Sequence, residues 1–493
     1  MSDEIITNTS VWSLVVQRVT ATTVEVWVGT LFPTLKKPLH ARVVLILPDG
    51  KKRTKKITSD QWQRPFDKMK QRFYCVCTFT NLQADTHYKL SFERRIEQVG
   101  SLVPQSWQKL RKGQFKTLPL RVPLKGKKPF TIALASCFYN HRDGGRAAEA
   151  YKALYERGPE NVKPDVTFLT GDQVYLDIGF DSLSFVSSEI RQRIADDYAQ
   201  HWRALGSILS RGGTWMLPDD HEYWNDYPFY KSVIPTLQAL RISAVRKAWD
   251  AAAQDGVRHV QRCPDVEVMT LGRDLSVCFA DFRSYRDEEQ LMPDEMFKKV
   301  VQWAEGLQSP GILVSPQPLI VEKEMERNLL SYQEQYAALL KALSLSGHDV
   351  VLLSGDVHFG RIASVKLGDS GSRLIEIIAS PLSNLTYLDG IATDKPKSTP
   401  KKFPSSQVAK LNSWQPQNVN YHDKVFQVST KKGSFFSAYP KERTREHFMT
   451  ISLSRLANGR VELVADAWRV REHKGPKRLP VKDFARSFKV SLS

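Results

Sequence analysis

The stretch "DVTFLTGDQVYLD", residues 165–177, decides the reading of this chain. The apolar pair Phe168 and Leu169 stops at Gly171. Asp172 follows at once, then Tyr175 and Asp177. A short apolar, aromatic run of this kind predicts a buried strand. A strand that delivers oxygen ligands at its carboxyl end suits a layered α/β domain, where ligands sit beyond the strand ends. Taken alone, Gly-Asp after a strand also fits a turn closed by the Asp side chain.

The same habit recurs along the chain. "FTIALASC" (130–137) reads as a strand ending at Cys137, and "TWMLPDDHE" (214–222) as one ending in Asp219, Asp220, His221 and Glu222. "DVVLLSGDVHF" (349–359) ends in Asp356 and His358. Each has an ordinary explanation. A lone cysteine is most often a small buried hydrophobe, and Asp-Asp-His-Glu makes an acidic helix cap. Four strand ends with one inventory point instead to a dinuclear metal site. Two ions can activate a water and clamp a phosphoryl group during in-line displacement. Thiolate and imidazole suit transition metals, and all-oxygen sites suit Ca, Mg or Mn. The phenolate of Tyr175 suits a trivalent ion, so iron is expected near Cys137 and Tyr175, with a harder ion beside it.

Helical periodicity fills the intervals between these strands, at 145–158, at 184–210, near 232–252 and near 322–345. Alternation of strand and helix predicts an α/β layered catalytic domain over 130–390. "LSVCFADFR" (275–283) and "SRLIEIIASPLSN" (372–384) read as further strands of it. Residues 1–120 differ. "SLVVQRV", "TTVEVWVG", "ARVVLIL", "RFYCVCTFTNL" and "HYKLSFERRI" predict a small β-sandwich of fibronectin or immunoglobulin type. A Pro- and Lys-rich stretch at 117–129 reads as the linker. Residues 391–425 read as loop. Strand signals return at 447–456, 459–470 and 486–493, as a hairpin and an edge strand packing on the catalytic domain.

Composition bounds the function. The chain has 493 residues, 41% hydrophobic and 25% charged, and two or three domains are expected. No apolar run approaches the length of a membrane span. The first residues show no basic, apolar signal pattern and no twin-arginine pair, which predicts a cytoplasmic location. Five scattered cysteines argue against a disulfide framework. The net charge of +18 favours anionic partners: a phosphate ester, nucleic acid or acidic lipid. The densest basic cluster, "PDGKKRTKK" (48–56), reads as a hairpin tip with no aromatic neighbour on which bases could stack.

Taken in order, "ASC … LTGDQVY … LPDDHEYWN … FADFRSYRDE … LLSGDVHFG" resembles the PhoD-like (alkaline phosphatase D) family of the calcineurin-like metallophosphoesterase superfamily. The resemblance covers residues 130–385, and the preceding sandwich resembles that family's N-terminal domain. It implies a layered metallophosphoesterase-like β-sheet core flanked by helices. It places Cys137, Asp172, Tyr175 and His358 around Fe(3+). Asp172 would bridge to a second ion, commonly Ca(2+) in the family, held with Asp220 and Asp356; Mn, Zn or Mg are alternatives at either position. His221 would assist the leaving oxygen, Asn225 matches a family asparagine, and Arg283 and Arg286 resemble the family's "D-x-R-x-x-R" element, at least one of them expected to set its guanidinium on phosphate oxygens rather than serve as a solvated helix start. The sequence departs from secreted relatives at Phe138, Gln173, Asp177 and Tyr223, all where substrate would approach, so their substrate preference does not carry over. His141 and Arg146, beside the pair Gly144–Gly145, are further candidates for a phosphate contact. The expected function is hydrolysis of phosphate esters, phosphodiesters before monoesters, by attack of a metal-activated hydroxide. A non-catalytic anion- or phospholipid-binding relative and a nucleic-acid-binding protein are the competing readings.

Overall fold

The computed structural model describes residues 11–34, 37–95, 106–178, 184–231, 235–321, 328–368, 371–384, 400–422 and 446–493. It is a mixed α/β protein with a β-rich N-terminal region. Seven antiparallel strands form that region: β1 (Trp12–Val19), β2 (Val24–Thr30), β3 (Ala41–Ile46), β4 (Lys52–Ile57), β5 (Phe73–Phe79), β6 (His87–Arg95) and β7 (Trp107–Lys116). They divide into a three-stranded sheet, β1-β2-β5, and a four-stranded sheet, β4-β3-β6-β7. Alternation sets the faces: Val43, Leu45, Leu90 and Phe92 are buried, while Lys52, Lys89 and Lys112 are exposed. The basic run near residue 50 is strand rather than tip. The turn is Leu47–Gly50, closed by Gly50 N–H on Leu47 O, and Lys52, Lys55 and Lys56 belong to β4.

The remaining chain builds two larger sheets. In one, β8 (Phe130–Ala135), β9 (Val166–Thr170) and β10 (Gly213–Leu217) run parallel. The hairpin of His447–Arg455 and Val461–Lys474 extends this sheet from the other side of β8, with Phe488–Leu492 and Leu479–Lys482 beyond. The other sheet has the order β11 (Val266–Leu271), β12 (Leu275–Ala280), β13 (Gly311–Val314), β14 (Val350–Ser354), β16 (Arg373–Ile378), β15 (Arg361–Lys366), then Asn420–His422. Strands β12, β13, β14 and β16 are parallel.

Strand β12, "LSVCFA", shows how the layers stack. Val277 and Phe279 join the core between the sheets, and Cys278 and Ala280 join a second core on the opposite face. Phe168 of β9 meets Phe279 edge-on with centroids 4.8 Å apart, and Trp215 of β10 stacks on Phe279 at 5.6 Å. The second core is covered by α5 (Asp294–Glu305) and α6 (Gln333–Leu345). On the outside of the first sheet lie α2 (Arg146–Arg157) and α3 (Ser187–Leu209), preceded by the single turn α1 (Asn140–Asp143); α4 (Ser243–Asp255) packs beside α3. Two sheets sandwiched between helices hold the strand ends of both sheets along one edge.

Several elements differ from the sequence reading. The helical stretch near 232–252 is a 3-10 helix, Pro235–Arg241, followed by α4 at 243–255, and the helix near 322–345 is α6 at 333–345; residues 232–234 and 322–327 lie outside the described residues. Helix α5 and strands β11, β13 and β15 were not expected. Part of the 391–425 loop lies outside the described residues. Its described portion contains a short helix, Ser406–Leu411, and brief strands. All five cysteines are free and buried. Among the described residues, no helix is long and apolar enough to cross a membrane.

Candidate metal centre

The strands β8, β9 and β10 of one sheet and β14 of the other end at a common place. Backbone bonds lock their loops together. Cys137 N–H donates to Gly171 O at 3.1 Å, Phe138 N–H to Asp172 O at 2.7 Å, and Ser383 N–H to Cys137 O at 3.1 Å. Two glycines permit this approach. A Cβ on Gly355 would lie 2.2 Å from Ser136 Oγ, and one on Gly171 would lie 2.5 Å from Asp219 Cβ. Four non-glycine residues here adopt left-handed backbone: Cys137 (φ 55°), Asp172 (57°), Asp356 (68°) and His358 (54°). Such conformations cost of order 1–3 kcal/mol each and gather where function holds them.

Three donor groups overlap at these ends. Ligand atoms within 4.8 Å of one another are supplied by Cys137, Asp172 and His358; by Asp172, Asp220 and His221; and by Asp172, Asp219, Asp220 and Asp356. Asp172 belongs to all three, the position of a bridging carboxylate. Tyr175 completes the thiol side, its hydroxyl 3.2 Å from His358 Nε2. These buried Asp, His and Cys clusters can hold metal ions.

The electrostatics of the cluster fit a cation. Burial, then the neighbouring Cys137, raises the Asp172 carboxyl well above its usual range. Burial raises Asp219 to about 8 against the pull of Arg283, and raises Asp356 to about 7 with help from Asp220. Burial pushes the Cys137 thiol up to about 12 and the His358 imidazole down to about 4. Asp219 Oδ2 is buried and makes no hydrogen bond. A bound cation relieves each of these penalties at once, because it favours carboxylate, thiolate and neutral imidazole together.

Supporting groups fix the donors. Asn384 Oδ1 lies 2.8 Å from His358 Nδ1, which turns Nε2 to the centre. Ser380 Oγ donates to Cys137 Sγ at 3.1 Å, and Gln317 Nε2 to Asp356 Oδ2 at 3.0 Å. Glu222 is a brace. Its carboxylate accepts the N–H groups of Asp172 (2.9 Å), Gln173 (2.7 Å) and Asp219 (2.8 Å), and Gln261 Nε2 at 2.9 Å. His221 is aimed by Asp177, whose Oδ1 lies 2.7 Å from Nδ1. Burial opposes a charge on His221, but Asp177, Asp220 and Asp172 together raise its pKa well above the ordinary value.

The fold therefore brings together Cys137, Asp172, Tyr175, Asp220, His221, Asp356 and His358. Asn225 is adjacent: its N–H donates to Asp177 Oδ2 at 2.7 Å, and its amide bonds Asp226 at 2.7 Å. The two arginines face protein rather than open space. Arg283 is buried on Asp219 and donates to Tyr227 O at 2.8 Å. Arg286 donates to Gln317 Oε1 at 2.7 Å and to Phe282 O at 3.2 Å, while its buried Nη1 has no partner. A carboxylate and a carbonyl thus occupy Arg283. His141 packs its ring 5.3 Å from that of Tyr139, and Arg146 pairs with Glu149 at 3.5 Å on the surface. Gln317, Ser380 and Asn384 sit in loops of no distinctive composition, so nothing in the sequence marks them as supports of the site. Asp219 and Asp177 were within quoted motifs, and their roles depend on side-chain direction.

No family model matches the chain, and no curated protein matches it. Among solved structures, the FN3 domain of human collagen XX is 18% identical and covers 20% of this chain and 85% of its own, at a TM-score of 0.13. A glycosyl hydrolase family 2 member from Bacteroides cellulosilyticus is 9% identical, with 98% of this chain and 60% of that chain covered, at 0.23. A β-galactosidase, described as putative, from Bacteroides fragilis is 8% identical, with coverages of 97% and 73%, at 0.21. The chain spans about 60% of the length of the family 2 hydrolase. Likenesses this slight carry no argument about fold or activity.

Proposed function

We propose that the chain is a metal-dependent phosphoesterase with a metallophosphoesterase-like core, of PhoD-like type, acting on phosphodiesters in preference to monoesters. One observation carries the reading: Asp172 is shared by three buried donor groups at strand ends drawn from two facing sheets. On this reading Cys137, Tyr175 and His358 hold one ion, proposed as Fe(3+). Asp219, Asp220 and Asp356 would hold the other, proposed as Ca(2+), with Asp172 common to both donor sets. The bound pair supplies Lewis acidity toward phosphoryl oxygens and lowers the pKa of water.

The protein's own groups do the rest. His221, held at Nδ1 by Asp177, would turn Nε2 to the departing oxygen and supply its proton. Arg283 tempers the negative charge of Asp219 without touching substrate. Glu222 keeps the β9 and β10 loops in register, so the donors are preorganised. The apolar packing of Tyr139 on Tyr175, with rings 5.6 Å apart, shields the thiol side from water.

The test is hydrolysis of a chromogenic aryl phosphodiester by protein loaded with iron and calcium, against the corresponding monoester. Diester turnover abolished in Asp172→Asn is the expected result. An Asp172→Asn protein that is folded and as active as wild type would overturn the reading.

A further inference from the structure

The four-stranded sheet of the N-terminal region turns one face into the sandwich core and the other outward. Its register lays out the outward residues as a grid. Ile46 stands opposite Lys52 on one side and Lys89 on the other; Val44 stands opposite Thr54 and Ser91; Arg42 stands opposite Lys56 and Glu93. Beyond them on β7, Gln114, Lys112 and Lys109 face Lys89, Ser91 and Glu93. Neighbouring strands are roughly 4.8 Å apart, and alternate residues along a strand roughly 6.7 Å. The grid is therefore roughly 14 Å on each side, with lysines around an apolar and hydroxyl centre.

The face is a cup rather than a plane. The loop after α3 pairs with the free edge of β7, where Gln114 N–H donates to Ser210 O at 3.0 Å and Gly212 N–H to Gln114 O at 2.9 Å, and Ser210 and Arg211 border the hollow. Gly113 allows the contact, since a Cβ there would stand 3.2 Å from Ser210 O and 2.6 Å from Leu14. The hollow has a volume of about 450 Å³, within the range of small-molecule sites.

Its charge is uncompensated. The one acid on the grid, Glu93, is neutralised by Arg42, with Nε at 2.8 Å and Nη2 at 2.7 Å, and it also accepts Ser91 Oγ at 2.7 Å. Arg211 is paired with Glu156 at 2.7 Å. Among the described residues, Lys52, Lys56, Lys89, Lys109 and Lys112 meet no carboxylate, and all five are exposed. Trp107 at the corner is covered by Arg42, 3.9 Å over its ring, so it offers no open platform for stacking a base. A long nucleic acid would need a groove that runs on past the cup. The walled hollow instead suits a compact molecule bearing several phosphates.

We propose that this cup is a binding site for a compact polyphosphorylated molecule, such as a cyclitol carrying several phosphate groups, free or as a lipid headgroup. Lysines on three strands meet phosphates spaced around a ring, and the Val44–Ile46 floor takes its apolar face. The site is separate from the metal centre and does not depend on the activity proposed for it.

The experiment is calorimetric titration of the full chain with inositol hexakisphosphate, repeated with vesicles containing a bisphosphorylated phosphatidylinositol. It uses wild type, Lys89→Glu/Lys112→Glu, and a charge-matched control, Lys298→Glu/Lys299→Glu, on the exposed side of α5. Each is also measured in an Asp172→Asn background, to separate binding at the metal centre. The cup predicts binding that weakens with salt, falls at least tenfold in the Lys89/Lys112 variant, and persists in the control and in Asp172→Asn. The free compound answering identifies a soluble ligand; vesicles alone answering identifies a lipid headgroup. Equal loss in the control, loss only with Asp172→Asn, or no binding of either probe would overturn the proposal.

Discussion

Asp177 separates two roles that a histidine beside a metal can play. It contacts His221 and the Asn225 backbone but belongs to none of the donor groups. Asp177→Asn places an amide N–H against one of those two donors and removes the charge that favours the imidazolium. We expect turnover of an aryl phosphodiester to fall by about 10²–10⁴-fold, as for loss of a general acid, with metal content unchanged by elemental analysis. Loss of metal instead would make His221 a ligand. A second aspartate, at the far end of β14, tests the electrostatics away from the site. Burial opposes its charge, but Asp349 is ionised more readily than usual because Arg373 and the Ser493 N–H bond it. Its folded pKa is depressed, so its contribution is present above the unfolded value of 3.8 and fades as pH falls below it. Asp349→Asn should cost about 1–3 kcal/mol at neutral pH and much less near pH 3, read from urea unfolding at both pH values.

At the scale of elements, the account rests on close approach of strand ends. Gly355→Ala drives a methyl group into Ser136 and should destabilise by about 1–3 kcal/mol. It should also lower metal content, because Asp356 is the next residue. Gly206 in α3 has open space around it, and Gly206→Ala should be neutral or stabilising by about 0.4–1 kcal/mol. Thermal unfolding with metal analysis checks both. The strand ends were legible because apolar runs stop abruptly at Gly171 and Gly355, and chemistry follows at once. Helix α5 was not taken from the sequence, although Phe297, Val300, Trp303 and Ala304 recur on one face. Strand β13, "GILV", is four residues long, too short for any period to show. The direction of Arg283 was beyond the sequence: "FRSY" is equally consistent with a guanidinium facing phosphate or Asp219, and tertiary packing decides.

Across the whole molecule, the sandwich and the layered sheets share one core. Val15, Val26 and Leu90 belong to the same buried cluster as Phe168 and Phe279. Buried Arg72 crosses the boundary, donating to Leu31 O within the sandwich and to Ala195 O (2.9 Å) and Asp196 (2.6 Å) on α3. Arg72→Ala removes the donors to Leu31 O and Ala195 O and the partner of Asp196, and should cost about 3 kcal/mol. A shared core predicts one unfolding transition, coincident by tryptophan fluorescence and circular dichroism; two separated transitions would contradict it. The central claim is that the strand ends of both sheets exist to hold metal. It is tested most directly by metal per chain in wild type and Asp172→Asn purified side by side. Two ions per wild-type chain, iron among them, and clear loss in a variant that remains folded are expected. Absence of metal from both, even after reconstitution with iron and calcium, would contradict it.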